Sequence, residues 1–472
     1  MLLVTDRNLK KSLQRASSYE EWREAAEHYD KRNKLDVWRR KDHSGQYDNV
    51  SIRRRLGRLR ELKARHDTRG LLFNLNEGIH GNVGGMGRSS LYSHAMSGTK
   101  KLIEEYIEEI VHALELLAEE DSGEISPAEK LDFFRRANHC FGRSAFMMSG
   151  SGSMLFFHVG VVKALVRENL LPDILSGSSG GALVGCIVST HTDSELMDLL
   201  CPEYFLERLP EARGGPTAPA SDEMAEGIAN YIPDLTFQQA FEKSGRAMNV
   251  SIAAAETHQT SRLLNAAASP SVLMRSAALA SAAVPGVFPP VTLMALDDHG
   301  DQVEYLPSRK WVDGSVSDDL PAKRLARLYG VNHYIVSQTN PHVIPFASDA
   351  RKKQTSLDFL KQAARRSTRE WLNALTAIAD QADRKNGKVT RATSLIRSVL
   401  NQDYFGDINI LPDYKFQNPL TMIRFPGEKV MQRLIDSGER CTWPKLEMIR
   451  QQTRISRRLT EILQDFDQWQ DR

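Results

Sequence analysis

The apolar residues of the chain follow two patterns. In residues 50–67, apolar side chains recur at helical spacing from Ile52 to Leu62, with arginines and lysines between them. This spacing predicts an amphipathic helix. Residues 99–119 place their apolar side chains on one broad face and predict a second helix. We therefore expect a helical, charged chain as far as about residue 140.

The pattern changes near residue 143, where short apolar runs begin to alternate with helical segments. We predict strands at 145–148, 174–175, 249–254, 302–305 and 333–337, and helices at 156–166 and 182–190. Strands that alternate with helices are typical of a mostly parallel sheet with helices on its faces. The predicted fold class is therefore α/β.

Segment 210–227 is rich in glycine and proline, has few large apolar residues, and is predicted to be a loop or a lid. Past Pro341 the chain turns helical and basic again. These changes predict three parts: an N-terminal helical domain over 1–140, an α/β domain over 141–345 and a C-terminal helical region over 346–472.

The charge balance gives no indication of a nucleic-acid partner, since Lys+Arg is 62 and Asp+Glu is 60. Two basic helical faces, at 53–65 and 351–369, fit either solvated helix surfaces with internal ion pairs or docking on anionic phospholipid. The four cysteines are widely spaced without a CxxC pair. We therefore expect no disulfide framework, no metal site and a reducing compartment.

The N-terminal apolar run is too short for a signal peptide, and no stretch approaches the roughly 20 apolar residues of a spanning helix. We predict a cytoplasmic protein that is not secreted and has no transmembrane helix. If it acts on lipid, it meets a membrane or droplet surface from outside.

The strongest catalytic candidate is Ser179, at the centre of a G-x-S-x-G pattern from Gly177 to Gly181. An apolar strand precedes the pattern and a helix follows it, as in a sharp strand-to-helix turn that exposes a serine hydroxyl. The flanking positions must be small because strand and helix pack closely there. The alternative is a small-residue turn without catalytic function.

A second glycine-rich loop, Ser149 to Ser153, also lies between a predicted strand and a helix. Backbone N–H groups in such a loop can form a phosphate cradle or an oxyanion hole. No Gly-Lys-Ser/Thr follows, and no full G-x-G-x-x-G is present, so a nucleotide site is disfavoured. The oxyanion hole is the better interpretation beside the Ser179 turn.

A serine nucleophile needs a base, and the sequence leaves three candidates. Asp313 follows an apolar strand, while His333 and His342 come later, in the order Ser, Asp, His. His333 begins an apolar strand and His342 lies in a turn, so each has a structural interpretation. His43 and Asp48 have the H-x4-D spacing of some acyltransferases. Two residue types at one spacing recur by chance, so this pattern is weak evidence for that function.

Several segments together resemble the patatin-like phospholipase family: 146–165, 176–181, 281–290 and 312–314. Within that family the chain is most similar to the triacylglycerol lipases of fungal and plant lipid droplets. The residues that support the narrower resemblance lie at 22, 47–48, 71–92, 261–265, 311–315, 319–321, 332–338, 340–342 and 440–446. The resemblance covers nearly the whole chain.

The resemblance implies a three-layer α/β sandwich with a mostly parallel sheet, flanked by helical N- and C-terminal regions. It also implies that Ser179 is the nucleophile and Asp313 the proton acceptor, without a catalytic histidine, metal or organic cofactor. The remaining site positions that it implies are Gly150, Ser151 and Gly152 in the oxyanion hole, Gly177 and Gly181 around the nucleophile, and Gly314 after the base. The expected substrates are long-chain acylglycerols or phospholipids at a membrane or droplet surface.

Two positions depart from the family, which usually has glycine where this chain has Ser151 and Leu155. We expect a side chain at Ser151 to resist a positive φ, so that the loop is slightly re-set, and Leu155 to narrow the acyl entrance. The expected result is a reduced or altered substrate range and not inactivity. Two other functions stay open: an acyltransferase that passes the acyl group to an acceptor other than water, and a non-catalytic lipid-binding protein.

Overall fold

A computed structural model describes residues 6–119, 124–208, 221–256, 261–285, 288–316, 319–340, 406–413 and 426–470. The chain forms two compact units. The first comprises Met1–Ser144, Tyr329–His333 and Trp443–Arg472, and the second comprises Ala145–Leu328 and Tyr334–Thr442. The three-part division at residues 140 and 345 stays a prediction.

The first unit is helical. Its helices are α1 Asp6–Arg15, α2 Tyr19–Arg32, α3 Leu35–Arg40, α4 Asn49–Ala64, α5 Thr68–Gly78, α6 Ser89–Tyr92, α7 Lys101–Glu119 and α8 Pro127–Phe141, followed by the end of α17, Glu428–Gln470. Helix α4 buries Ile52, Leu56, Leu59 and Leu62 and packs against α7. The helices predicted at 50–67 and 99–119 are thus confirmed as α4 and α7.

The basic face of α4 is held by ion pairs inside this unit. Arg60 and Lys63 both pair with Glu109 of α7, at 3.2 and 2.6 Å. The side chain of Asp48 accepts a hydrogen bond from the Ser51 amide and caps α4, so the H-x4-D aspartate has a structural function. The predicted basic face at 351–369 lies outside the described residues. In the part of the chain that the structure describes, no helix is both long and apolar enough to cross a membrane.

A mostly parallel sheet with flanking helices is the core of the second unit, which confirms the predicted α/β class. Its strands are β1 Arg143–Met148, β2 Ile174–Gly177, β3 Ala247–Ala254, β4 Arg262–Leu264, β7 Trp311–Asp313, β8 Val331–Ser337 and β9 Ile408–Ile410. The order is β4-β3-β2-β1-β8-β9, with β7 paired to β3. The pairs β1–β2, β2–β3 and β8–β9 are parallel, whereas β4 and β7 run antiparallel to β3.

Strands β2 and β7 share one edge of β3 and meet there end to end. Ile252 pairs with Asp313 of β7 and also with β4, so those two strands lie on opposite edges. Val250 pairs with Gly177 of β2 and with β4, which places β2 on the same edge as β7. The carboxyl ends of β2 and β7 therefore face each other across Ser251, the residue of β3 between the two pairings.

Helices flank the sheet. They are α9 Leu155–Arg167, α10 Gly180–Ser189, α11 Asp193–Leu199, α12 Pro202–Glu207, α13 Ser221–Tyr231, α14 Phe237–Ser244, α15 Met274–Ala282, α16 Ala322–Tyr329 and the start of α17. Helices α9 and α10 confirm the predictions at 156–166 and 182–190.

Two sequence predictions need correction in this unit. The loop or lid predicted at 210–227 is wrong from Ser221 onward, because the chain there begins α13; residues 210–220 lie outside the described residues. The strand predicted at 302–305 exists as β6 Gln302–Tyr305, but among the described strands it pairs only with β5 Leu293–Leu296, in a separate hairpin. It therefore adds nothing to the parallel sheet.

Candidate active site

Ser179 lies in a strained turn between β2 and α10. Its φ of 51° and ψ of −125° fall in a region that L-residues rarely adopt, which costs about 1–3 kcal/mol. The flanking glycines make the turn possible, because there is no space for a side chain at either. A Cβ at Gly177 would overlap the Gly181 carbonyl, and one at Gly181 would lie 2.5 Å from the Met148 carbonyl oxygen.

A hydrogen-bonded chain holds the Ser179 backbone in this conformation. The Ser179 amide donates to Ser281 Oγ of α15 at 2.9 Å, and the Ser281 hydroxyl donates to the Ser251 carbonyl at 2.8 Å. All three residues are at most 8% exposed. The strain is therefore balanced by buried hydrogen bonds from α15 and β3.

Asp313 comes to the Ser179 hydroxyl from the facing end of β7. The Ser179 side chain is near enough to the Asp313 carboxylate to lower its pKa, and the Ser315 amide donates to Asp313 Oδ1 at 2.8 Å. Burial raises the pKa of Asp313 to about 6, although the hydrogen bond from Ser315 and the Ser179 side chain work against the rise. A Cβ at Gly314 would overlap the Ser251 carbonyl, so the residue after the aspartate must be glycine. The structure thus brings together the predicted nucleophile and the predicted base.

The predicted oxyanion loop joins β1 to α9 and lies beside the Ser179 turn. The positive φ of this loop falls at Gly152, with φ 50°, whereas Ser151 has φ −142°. The negative φ of Ser151 agrees with the expectation that a side chain there avoids a positive φ, and the effect of Ser151 on the substrate range stays a prediction. Leu155 begins α9, and its Cβ would lie 3.2 Å from a Cβ at Gly180. A narrower acyl entrance at Leu155 stays a prediction.

A second buried carboxylate, Asp319, joins the loop to the Ser179 turn. Its Oδ1 accepts from the Gly150 amide at 2.8 Å and from the Ser178 hydroxyl, and its Oδ2 accepts from Asn340 Nδ2. Burial, with a smaller contribution from the charge of Asp313, raises the pKa of Asp319 to about 7. The Gly150 amide is thus engaged by Asp319, which leaves the Ser151 and Gly152 amides as the remaining predicted oxyanion donors.

Sequence reasoning missed Asp319, which entered only as part of a matching segment. The sequence contains little sign of Asp319, because hydrogen bonds that a carboxylate accepts from three separate segments produce no periodic pattern along the chain. Ser281 was missed for the same reason. Both are fixed by contacts between residues more than 100 positions apart.

Asp319→Asn is expected to lower kcat by about 10²-fold. The Asn340 amide would then face a second amide group, and a misplaced Ser179 turn would cost about that much in rate. The pH–rate profile is measured from pH 4 to 9 against Asp298→Asn, an exposed aspartate. An unchanged profile with wild-type kcat would contradict the positioning role.

His158 fixes the first residue of the loop to the sheet. Its Nε2 lies 3.0 Å from the Ser149 carbonyl oxygen, and its Nδ1 lies 2.7 Å from Ser337 Oγ. A carbonyl only accepts, so Nε2 carries the proton and Nδ1 accepts from the serine. Burial lowers the pKa of His158 to about 4, so the ring is neutral and both nitrogens serve structure.

His333, one of the two histidines considered as bases, makes its hydrogen bonds away from Ser179. His333 Nδ1 lies 3.0 Å from Ser144 Oγ, and its Nε2 lies 2.8 Å from Gln452 Oε1. Both nitrogens of His333 therefore have partners in the first unit. His342 lies outside the described residues.

Two family models match the chain. The model described as patatin-like phospholipase matches residues 146–326, which include Ser179, Asp313 and Asp319. A domain of unknown function, DUF3336, matches residues 4–139.

Curated relatives extend the similarity over most of the chain. Triacylglycerol lipase ptl3 of Schizosaccharomyces pombe is 31% identical over 95% of this chain and 95% of its own length. Triacylglycerol lipase SDP1L of Arabidopsis thaliana is 31% identical over 95% of this chain and 57% of its own length. A patatin-like phospholipase domain-containing protein of Cryptococcus neoformans is 32% identical over 95% of this chain and 54% of its own length. The chain thus spans little more than half of the last two relatives and nearly all of the first.

Proposed function

The chain belongs to the patatin-like phospholipase family, and from this membership together with the site geometry we propose that it is a lipid acyl hydrolase with a Ser179–Asp313 dyad. The observation that carries the proposal is the meeting of the strand ends that hold Ser179 and the buried Asp313 carboxylate, whose pKa the Ser179 side chain helps to lower. A serine hydroxyl on a strained turn, facing a base and flanked by free loop amides, is suited to acyl transfer.

In the first half-reaction Ser179 Oγ attacks the ester carbonyl carbon while its proton passes to the Asp313 carboxylate. The carbonyl oxygen becomes an oxyanion, which the Ser151 and Gly152 amides and the N-terminus of α10 stabilise. Collapse of the tetrahedral intermediate breaks the bond to the alcohol, which takes the proton from Asp313. An acyl-Ser179 ester and a free alcohol result.

In the second half-reaction water attacks the acyl-Ser179 ester and gives its proton to Asp313. Collapse of the second intermediate releases the fatty acid, and the proton returns to Ser179 Oγ. A base with a pKa of about 6 suits this cycle, because it is ionised at neutral pH and still accepts a proton readily.

We propose long-chain acylglycerols or phospholipids as substrates, met at the surface of a membrane or lipid droplet. The names of the relatives support this class, since two are triacylglycerol lipases and one is named for a phospholipase domain. The site residues described above fit an ester carbonyl and do not distinguish between head groups.

The purified protein is expected to release fatty acid from emulsified trioleoylglycerol or from phosphatidylcholine vesicles and to react covalently with a fluorophosphonate at Ser179. A lysophosphatidylcholine acceptor in the same assay separates hydrolysis from acyl transfer by its product. Labelling with acyl transfer in place of fatty acid release would make the protein an acyltransferase. Lipid binding without labelling or turnover would make it a binding protein.

A further inference from the structure

The Ser151 hydroxyl is buried beside the Ser179 turn without a hydrogen-bond partner. Ser151 is 3% exposed, and its Oγ has no partner among the described residues. A buried hydroxyl without a partner costs about 1–3 kcal/mol, so buried polar groups almost always have one. Ser151 Oγ is therefore available to donate to a group that binds during the reaction.

The position of this hydroxyl indicates that partner. A Cβ at Gly180 would overlap Ser151 Oγ, so the hydroxyl packs directly against the residue that follows Ser179. In a serine elbow, the amide of the residue after the nucleophile forms one side of the oxyanion hole. Gly180 also begins α10, where an amide N–H has no acceptor within the helix. The hydroxyl and the Gly180 amide thus border the same space.

We propose that Ser151 is a catalytic residue whose Oγ–H donates a hydrogen bond to the oxyanion, beside the backbone amides. This inference rests on the proposed acyl hydrolase function. Ser151 φ is −142°, so the residue carries its side chain without the cost of a left-handed backbone. The hydroxyl also offsets the loss of the Gly150 amide, which donates to Asp319.

The proposed hydrogen bond strengthens as negative charge develops on the carbonyl oxygen, so its loss should affect kcat more than KM. Ser151→Ala and Ser151→Gly are each expected to lower kcat by about 10²-fold, the lower end of the effect of one oxyanion donor. Affinity for a trifluoromethyl ketone, which forms a tetrahedral adduct with serine, should fall in parallel. The melting temperature should not fall, since no protein hydrogen bond is lost.

Ser176→Ala is the matched control. Ser176 in β2 also has a buried hydroxyl without a described partner, but it lies on the strand and not beside Gly180. This variant should keep wild-type kcat and wild-type affinity for the ketone. A fall in kcat for both Ser151 variants, with Ser176→Ala unchanged, supports the proposal.

Two results would overturn it. Wild-type kcat in Ser151→Ala would show that the hydroxyl gives no stabilisation, and faster turnover in Ser151→Gly would show that it obstructs the hole. In both cases Ser179-dependent hydrolysis by the wild type would leave the proposed function intact. A wild type without Ser179-dependent hydrolysis would overturn both proposals together.

Discussion

Ester hydrolysis by a Ser179→Ala variant is expected to fall by about 10⁴–10⁶-fold in kcat, as in other enzymes that lose a serine nucleophile. The Ser179 side chain is the one that lies beside the proposed base, Asp313. The neighbouring Ser178 hydroxyl cannot replace it, because it donates to Asp319. Fatty acid release and fluorophosphonate labelling, measured on the same preparation, report the loss.

The control for this variant is Ser189→Ala, ten residues along the same turn and helix. The Ser189 hydroxyl donates only to the Gly185 carbonyl within α10, at 2.8 Å. Its removal should leave kcat within about twofold of the wild type, since no site residue is touched. If Ser179→Ala retained a tenth or more of the activity, the nucleophile would have to be sought elsewhere.

Asp313→Asn is expected to lower kcat by about 10³–10⁴-fold, near the upper end for a general base. The asparagine Oδ1 can still accept from the Ser315 amide, but its amide group then faces the Ser179 hydroxyl and accepts no proton. In the wild type, activity should rise with pH through a midpoint near 6, where Asp313 ionises. The variant should lack that midpoint in its residual activity.

The same substitution should stabilise the protein at alkaline pH. The pKa of Asp313 rises from 3.8 to about 6 on folding, so the folded state binds the proton more tightly than the unfolded state. The contribution of Asp313 protonation to the free energy of unfolding is present in full below pH 3.8 and is lost as pH rises through 6. Removal of the carboxylate should therefore raise the melting temperature more at pH 8 than at pH 5.

Differential scanning calorimetry of Asp313→Asn and wild type at both pH values tests this. Asp298→Asn serves again as the exposed control and should show no such pH-dependent difference. A lower melting temperature of Asp313→Asn than of the wild type at pH 8 would contradict the electrostatic cost of burying the Asp313 carboxylate. High activity of the same variant would contradict the role of Asp313 as base.

Longer elements of the fold could be predicted from the sequence, whereas the shortest could not. Helices α4 and α7 have enough turns for a clear periodicity, and β3 has eight residues. Strands β4 and β7 have three residues each, too few to show alternation. Their place is set by pairing with β3, which is a tertiary interaction that no local pattern contains.

In the candidate site, local motifs identified the residues and tertiary contacts determined their surroundings. The glycine spacing pointed to Ser179, and the family resemblance pointed to Asp313. The hydrogen bonds of Asp319 and Ser281 come from distant segments and left no trace in either motif. The resemblance also pointed to Ser151 as a position without a positive φ, whereas the positive φ of Gly152 could not be read from the motif.

The meeting of β2 and β7 on one edge of β3 has a consequence for how this chain can evolve. The gap between the two pairings is the single residue Ser251. Strand β3 therefore sets the distance between the Ser179 hydroxyl and the Asp313 carboxylate. A one-residue insertion there would lengthen the gap by about 3.3 Å and turn the following side chains to the opposite face. Length variation among relatives should therefore collect in the connecting loops and avoid 250–252, and loop grafts between relatives should leave the dyad in register.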